Sequence, residues 1–242
     1  MWSRSELKSH AKEILKVNYW RAVLVSLILM FIGGSAGSSA SGASSSSSSS
    51  SGSLKDALSS FDPTLIAAAI AALIAIFAGI FLVSLVLRIL VFNPIVVGCQ
   101  RFFVKCRSEQ PAVGEIVFAF KNSYGNIIKT VFLQHLFTAL WSLLFIIPGI
   151  IKSYEYRMIP YILAENPGLS SKEVFARSKA MMKGEKWNAF VLDLSFLGWY
   201  LLGTITCCIL NIFYVSPYYY LTFAELYAVL KQKVDSTPVD AV

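Results

Sequence analysis

Charge is scarce in this chain. Only 14% of its 242 residues are Asp, Glu, Lys or Arg, and 56% are hydrophobic. Soluble domains carry about 25% charged residues, so an ordinary water-soluble core and surface is disfavoured. Histidine occurs only as His10 and His135, far apart and without the companions a metal site needs. Four cysteines are too few and too scattered for a disulfide scaffold. The motifs of common enzymes are missing as well. There is no phosphate-binding Walker loop, no Gly-x-Ser-x-Gly elbow, no His-Glu-x-x-His and no Cys-x-x-Cys. Nothing asks for a cofactor or a metal, and an enzyme is not the expected reading.

What the chain has in abundance is apolar sequence in blocks. Runs at 22–37, 65–97, 127–147, 188–209 and 212–230 stand out, with a weaker one at 150–165. Runs of about 18 residues or more are membrane candidates. The basic residues crowd into alternate gaps. Arg4, Lys8, Lys12, Lys16 and Arg21 come before the first run, and Arg101, Lys105, Arg107 and Lys121 after the second. Lys172, Arg177, Lys179, Lys183 and Lys186 follow the weak run, and Lys231 and Lys233 the last. The remaining gaps hold Lys55. This is the positive-inside pattern of a polytopic membrane protein with both termini cytoplasmic. The net charge of +7 lies beside apolar runs, so anionic lipid headgroups are the expected partners and nucleic acid is not. Protein partners, or a second copy of the chain, stay open.

Two amphipathic segments flank the spans. At 2–19, Ser3 and Glu6 form a capping-box pattern, Trp2 and Leu7 a staple, and Lys8, Lys12 and Lys16 a basic stripe. At 170–186, Ser170 and Glu173 repeat the box ahead of Val174, Phe175, Ser178, Met181 and Met182. Both read as interfacial helices on the inner leaflet. A cleaved signal peptide is the alternative for the N-terminus. Residues 33–62 are rich in Ser, Gly and Ala, with unbroken serine from Ser44 to Ser51, and read as a flexible outer loop. The run at 65–97 would be about 50 Å long as a helix against a bilayer core of about 30 Å, so a break is expected at Asn93–Pro94. A tight turn at Pro148–Gly149 is expected near the outer surface. It returns the chain through 150–165 and makes six spans. Laying 150–165 along the surface instead makes five.

Several segments, in order, carry a resemblance: 93–98 (NPIVVG), 143–150 (LLFIIPGI), 160–167 (PYILAENP), 178–184 with Trp187, 193–199 (DLSFLGW) and Pro217–Tyr218. Together they resemble an uncharacterised bacterial integral-membrane family, a domain of unknown function common in Gram-positive bacteria. That family is distantly similar to the membrane domain of some glycerophosphodiester phosphodiesterases. The resemblance implies an all-α bundle of six transmembrane helices in the bacterial cytoplasmic membrane and carries over no catalytic residue.

Chemistry, if any, should gather at charges inside the runs. Counted from the expected cytoplasmic ends, Arg88, Arg157, Asp193 and Glu225 lie about 7–15 Å deep at 1.5 Å per residue, with Glu155 deeper. Hydrocarbon cannot hydrate them, so pairing or a wet cavity must. Arg157 and Asp193 are expected to face inward, joined by Arg88 or Glu225. Such a network serves either an ion, substrate or headgroup site, or simply the cohesion of the bundle. His135 is expected to be packed and hydrogen-bonded. A lipid-interacting, organising or accessory membrane protein is the favoured reading; a small transporter or channel subunit using the charge cluster is the alternative.

Overall fold

The structure is a computed structural model that describes residues 2–34, 63–206 and 209–236. The expected loop at 33–62 falls outside these residues except for Gly33 and Gly34, which end the first helix, and Cys207 and Cys208 lie outside them too. The described chain is all-helical. Helix α1 (Arg4–Gly34) opens it. Helix α2 (Pro63–Leu87) runs through a π turn (Arg88–Phe92) into α3 (Asn93–Lys105). A 3-10 turn (Val113–Val117) and the short α4 (Phe118–Lys121) lead to α5 (Tyr124–Leu144). Then come α6 (Ile146–Glu155), α7 (Ile159–Glu165), α8 (Ser171–Met182) and α9 (Lys186–Ile205). A second π turn (Asn211–Val215) opens α10 (Ser216–Asp235).

Among the described residues four helices are long and apolar enough to cross a membrane: Arg4–Ile32, Ile70–Lys105, Tyr124–Leu144 and Lys186–Ile205. The two further expected crossings are not among them. The segment at 150–165 is divided between α6, of 10 residues, and α7, of 7. Ile159, Ile162, Leu163 and Ala164 are fully buried, so α7 is core. The last helix carries too much polarity along its length to qualify.

The packed core lies toward one end of the bundle. Helix α1 packs chiefly on α10, and α3 on α7 and α10. In α5 only Ile127, Thr130 and Val131, in its first two turns, are buried, whereas Leu140, Leu143 and Leu144 are exposed. In α9, Ala189, Leu192 and Phe196 are buried while Leu201, Leu202 and Ile205 are not. Every placed side chain of α2 is exposed. The basic residues gather at the packed end, and the apolar skin covers the other.

Local sequence explains the joints. Ser3 accepts a hydrogen bond from the Glu6 amide at 3.1 Å, capping α1. A kink at Asn18 (φ −112°, ψ 22°) separates the amphipathic start of α1 from its apolar part. The apolar face of that start (Leu7, Ala11, Leu15) is buried against protein. Ser170 and Glu173 make both arms of a capping box on α8, whose apolar residues Val174, Met181 and Met182 are likewise buried. Asn93–Pro94 does not break the chain as expected. Proline has no N–H for the carbonyl four residues back, and the helix answers by widening into the π turn before it. The carbonyl left over, that of Leu90, accepts instead from the Tyr124 hydroxyl at 2.8 Å. The same pairing of π turn and proline recurs at Pro217.

The turn expected at Pro148–Gly149 is displaced. The chain reverses at Phe145 (φ −153°, ψ 136°), and Pro148 and Gly149 lie inside α6. Proline is tolerated in a helix's first turn, where its missing N–H has no partner to lose. Gly149 serves a different need: a β-carbon there would lie 2.6 Å from the Ser142 α-carbon. The glycine lets α6 fold back closely on α5. Gly98 does the same for α3, where a β-carbon would meet the Ile116 carbonyl oxygen at 1.9 Å.

Candidate functional site

Arg157 and Asp193 meet. Arg157 lies in the turn between α6 and α7, and Asp193 on the second turn of α9. The guanidinium grips the carboxylate with both terminal nitrogens, Nη2 lying 3.0 Å from Oδ1 and Nη1 bonding Oδ2. Two tyrosines complete the arrangement. The Tyr154 hydroxyl donates to Oδ2 at 2.7 Å, and the Tyr219 hydroxyl to Oδ1 at 2.9 Å. Four donors thus converge on one carboxylate. The guanidinium carbon sits 3.9 Å from the Phe223 ring centre, a cation–π contact that favours the charge where water is sparse. A groove of about 390 Å³, lined by Phe190, Leu197, Tyr200 and Tyr219, opens beside Asp193.

The other expected members do not join this pair. Arg88 sits in the π turn with an exposed side chain and makes no ion pair among the described residues. Glu225 is buried but bonds Arg107 at 2.7 Å. Glu155, also buried, forms its own knot with Lys152 at 2.8 Å, Lys186, and Lys179 at 3.9 Å. His135 is exposed rather than packed, its Nδ1 2.8 Å from the Val131 carbonyl of its own helix.

Further knots were not anticipated by the sequence reading. Glu115 accepts from Arg101 and Lys105, each at 2.8 Å, and Arg101 also donates to the Ala164 carbonyl at 2.6 Å. Glu165 bonds Lys231 at 2.6 Å and Tyr227 at 2.9 Å. Glu185 accepts from Lys233 at 2.6 Å, Asn188 at 2.9 Å and the Trp2 indole at 3.1 Å. Burial opposes the charge on Glu115, yet the hydrogen bonds from Lys105 and Arg101 prevail and hold its carboxyl below the ordinary carboxylate value. Glu185 is held low in the same way, burial being outweighed by Lys233 and Asn188. The signal for these partners lay in the helix-end positions of Glu165, which closes the run at 150–165, and Glu185, which just precedes that at 188–209.

Chemically, the site pairs opposite charges. Asp193 is saturated, and each neighbouring carboxylate has a cation on it. Among the described residues no three His, Cys, Asp or Glu side chains come together in a way that could hold a metal ion.

A family model described as a protein of unknown function, DUF975, matches residues 53–234. The chain belongs to the DUF975 family. The DUF975 match spans α2 to all but the last residue of α10 and leaves out α1, although α1 is part of the packed core. Arg157, Asp193, Tyr154 and Tyr219 all fall within it. No curated protein and no solved structure matches the chain.

Proposed function

We propose that this chain is a non-enzymatic, multi-pass protein of a bacterial cytoplasmic membrane that binds and organises anionic lipids, with both termini in the cytoplasm. One observation carries the reading: the bundle is divided end from end. At the packed end every charged carboxylate inside the bundle is matched by bonded cations, and basic side chains remain in excess. At the other end an apolar skin is exposed. That division supports an end at the headgroups and an end in hydrocarbon, with the surplus cations directed at anionic lipid. Because the apolar faces of α8 and of the start of α1 are taken up by protein, their basic sides are what they offer a bilayer. The bacterial setting and the distant likeness to the membrane domain of glycerophosphodiester phosphodiesterases belong to this proposal.

The transporter or channel reading draws on the groove beside Asp193. It is second because a carrier's acid must exchange partners during a cycle, and Asp193 is already held by four donors.

Native mass spectrometry of the detergent-purified protein tests the proposal. Retention of anionic phospholipid in preference to neutral lipid is expected. A protein that sheds all lipid, or keeps neutral and anionic species equally, rejects it.

A further inference from the structure

We propose that the groove between α5, α6 and α8 holds one anionic phospholipid of the bilayer. Its phosphate is held by Lys152, Lys172 and Lys179, and an acyl chain lies along Phe137, Trp141 and Phe175. This assignment rests on the lipid-binding reading and gives it a place.

The groove has a volume of about 630 Å³, enough for part of a chain and a headgroup. Its walls are aromatic and uncovered: Phe137 is 39% and Trp141 38% exposed. They are also fixed. Phe175 packs edge-on against Phe137 at 5.7 Å and against Tyr156 at 5.0 Å between ring centres. An exposed aromatic slot in rigid packing is a surface for hydrocarbon rather than for water.

The mouth is basic. Lys152 Nζ stands 5.6 Å from the Trp141 ring centre and 5.8 Å from that of Tyr156, which places a cation at the head of the apolar slot. The bonded acid at this mouth is Glu155. It is shared by Lys152 at 2.8 Å and Lys179 at 3.9 Å, which line the groove, and by Lys186, which does not, so one negative charge is divided among three positive ones. Lys172, exposed on the same rim, makes no ion pair among the described residues. Its neighbour Glu173 is occupied by the cap, accepting from the Ser170 amide at 2.9 Å and hydroxyl at 2.7 Å. The surplus positive charge therefore overlooks an apolar slot. A free phosphate would match the lysines and leave the slot wet. A neutral lipid would fill the slot and leave the lysines unmatched. A ligand with an anionic head and a hydrocarbon tail satisfies both, and a groove open on the bundle's flank receives it from within the bilayer.

The test is a titration of the full chain in neutral detergent with phosphatidylglycerol, read by native mass spectrometry, alongside phosphatidylcholine and inorganic phosphate. K172Q/K179Q is compared with K121Q/K183Q, which removes the same charge from exposed lysines outside the groove. One phosphatidylglycerol is expected to bind most tightly. K172Q/K179Q should weaken it about thirtyfold, since each lysine near a headgroup contributes about 1 kcal/mol and 1.4 kcal/mol is tenfold. K121Q/K183Q should leave it within about threefold. Equal weakening by both pairs would mean diffuse attraction and overturn the site. So would equal affinity for phosphatidylcholine, or displacement of the lipid by millimolar phosphate. If the wild type keeps phosphatidylglycerol and K172Q/K179Q binds it just as well, the site fails while the lipid-binding reading stands. If the wild type keeps none, both fail.

Discussion

Asp193→Asn is the most informative single change in this bundle. The carboxylate accepts from four donors, two on Arg157 and one each on Tyr154 and Tyr219. Asparagine offers one oxygen and turns an amide NH₂ toward donors on its other side. The substitution therefore removes the ion pair and leaves hydrogen-bond donors facing one another. Breaking a fully buried pair costs about 3–5 kcal/mol. Each partner here keeps 22% of its side-chain exposure, so solvent screening lowers the expected loss to about 2–3 kcal/mol. For a chain of this size 1 kcal/mol is worth about 2–4 °C, so the melting temperature should fall by about 4–12 °C. The assay is thermal unfolding in detergent followed by circular dichroism. Glu109→Gln is the control, since Glu109 is 54% exposed and lies 3.4 Å from Lys105. Replacing both partners, as Arg157→Met with Asp193→Leu, should recover more than half of the loss, because no charge is left unmatched. A fall no larger than the control's, or a double variant no better than the single one, would refute the reasoning.

Gly149→Ala should lower the melting temperature by the equivalent of about 1–3 kcal/mol, because its β-carbon meets the Ser142 backbone. Gly79→Ala, with nothing within 4 Å of the new carbon, should not, and equal melting of the two variants counts against the close approach of α5 and α6. Tyr124→Phe orphans the Leu90 carbonyl and should cost about 1 kcal/mol; unchanged melting would mean the carbonyl finds another donor. Glu115 titrates below the ordinary carboxylate value in the folded state, so its stabilisation is present above that ordinary value and is lost as pH falls through the lower folded one. Melting temperature against pH should therefore drop less on acidification in Glu115→Gln than in the wild type, and superimposable profiles would contradict this. For topology, single cysteines at Ser47 and Lys183 in a background without native cysteines are treated on whole cells with an impermeant thiol reagent; labelling at Ser47 alone is expected, and labelling at Lys183 alone reverses the proposed orientation.

How far the site could be read in advance depends on what each inference needed. The helical class and the long apolar helices follow from blocks of sequence. The Ser170–Glu173 cap follows from two residues at fixed spacing. The meeting of Arg157 and Asp193 follows from the cost of leaving either charge alone in an apolar run, although Arg157 stands in a turn and not in the crossing helix expected at 150–165. Arg88 also lies in an apolar run, yet its side chain points outward. Counting gives depth but not azimuth, and azimuth is read from polar and apolar alternation. The run around Arg88 is apolar on every side, so it carries no such mark. Glu225 was legible as buried, but its partner Arg107 lies 118 residues away in sequence, and nothing local names it. The signal at Pro148–Gly149 marked a real reversal within three residues of its place. It was misread because proline can begin a helix as well as end one, and glycine can serve closeness as well as a turn.

The widened turn at Arg88–Phe92 has a mechanical consequence. Helices α2 and α3 are continuous through it, a rod with a long arm of about 38 Å and a short arm of about 20 Å at 1.5 Å per residue. The long arm touches little else in the bundle, while the short arm ends in Arg101 and Lys105, just before Arg107, whose bonds reach Glu115, the Ala164 carbonyl and Glu225. The Tyr124 hydroxyl pins the pivot at Leu90. This is a lever with its fulcrum latched. By the ratio of the two arms, a displacement at the far end of α2 would reach the end of α3 at about half its amplitude, where Arg101, Lys105 and Arg107 meet Glu115, the Ala164 carbonyl and Glu225.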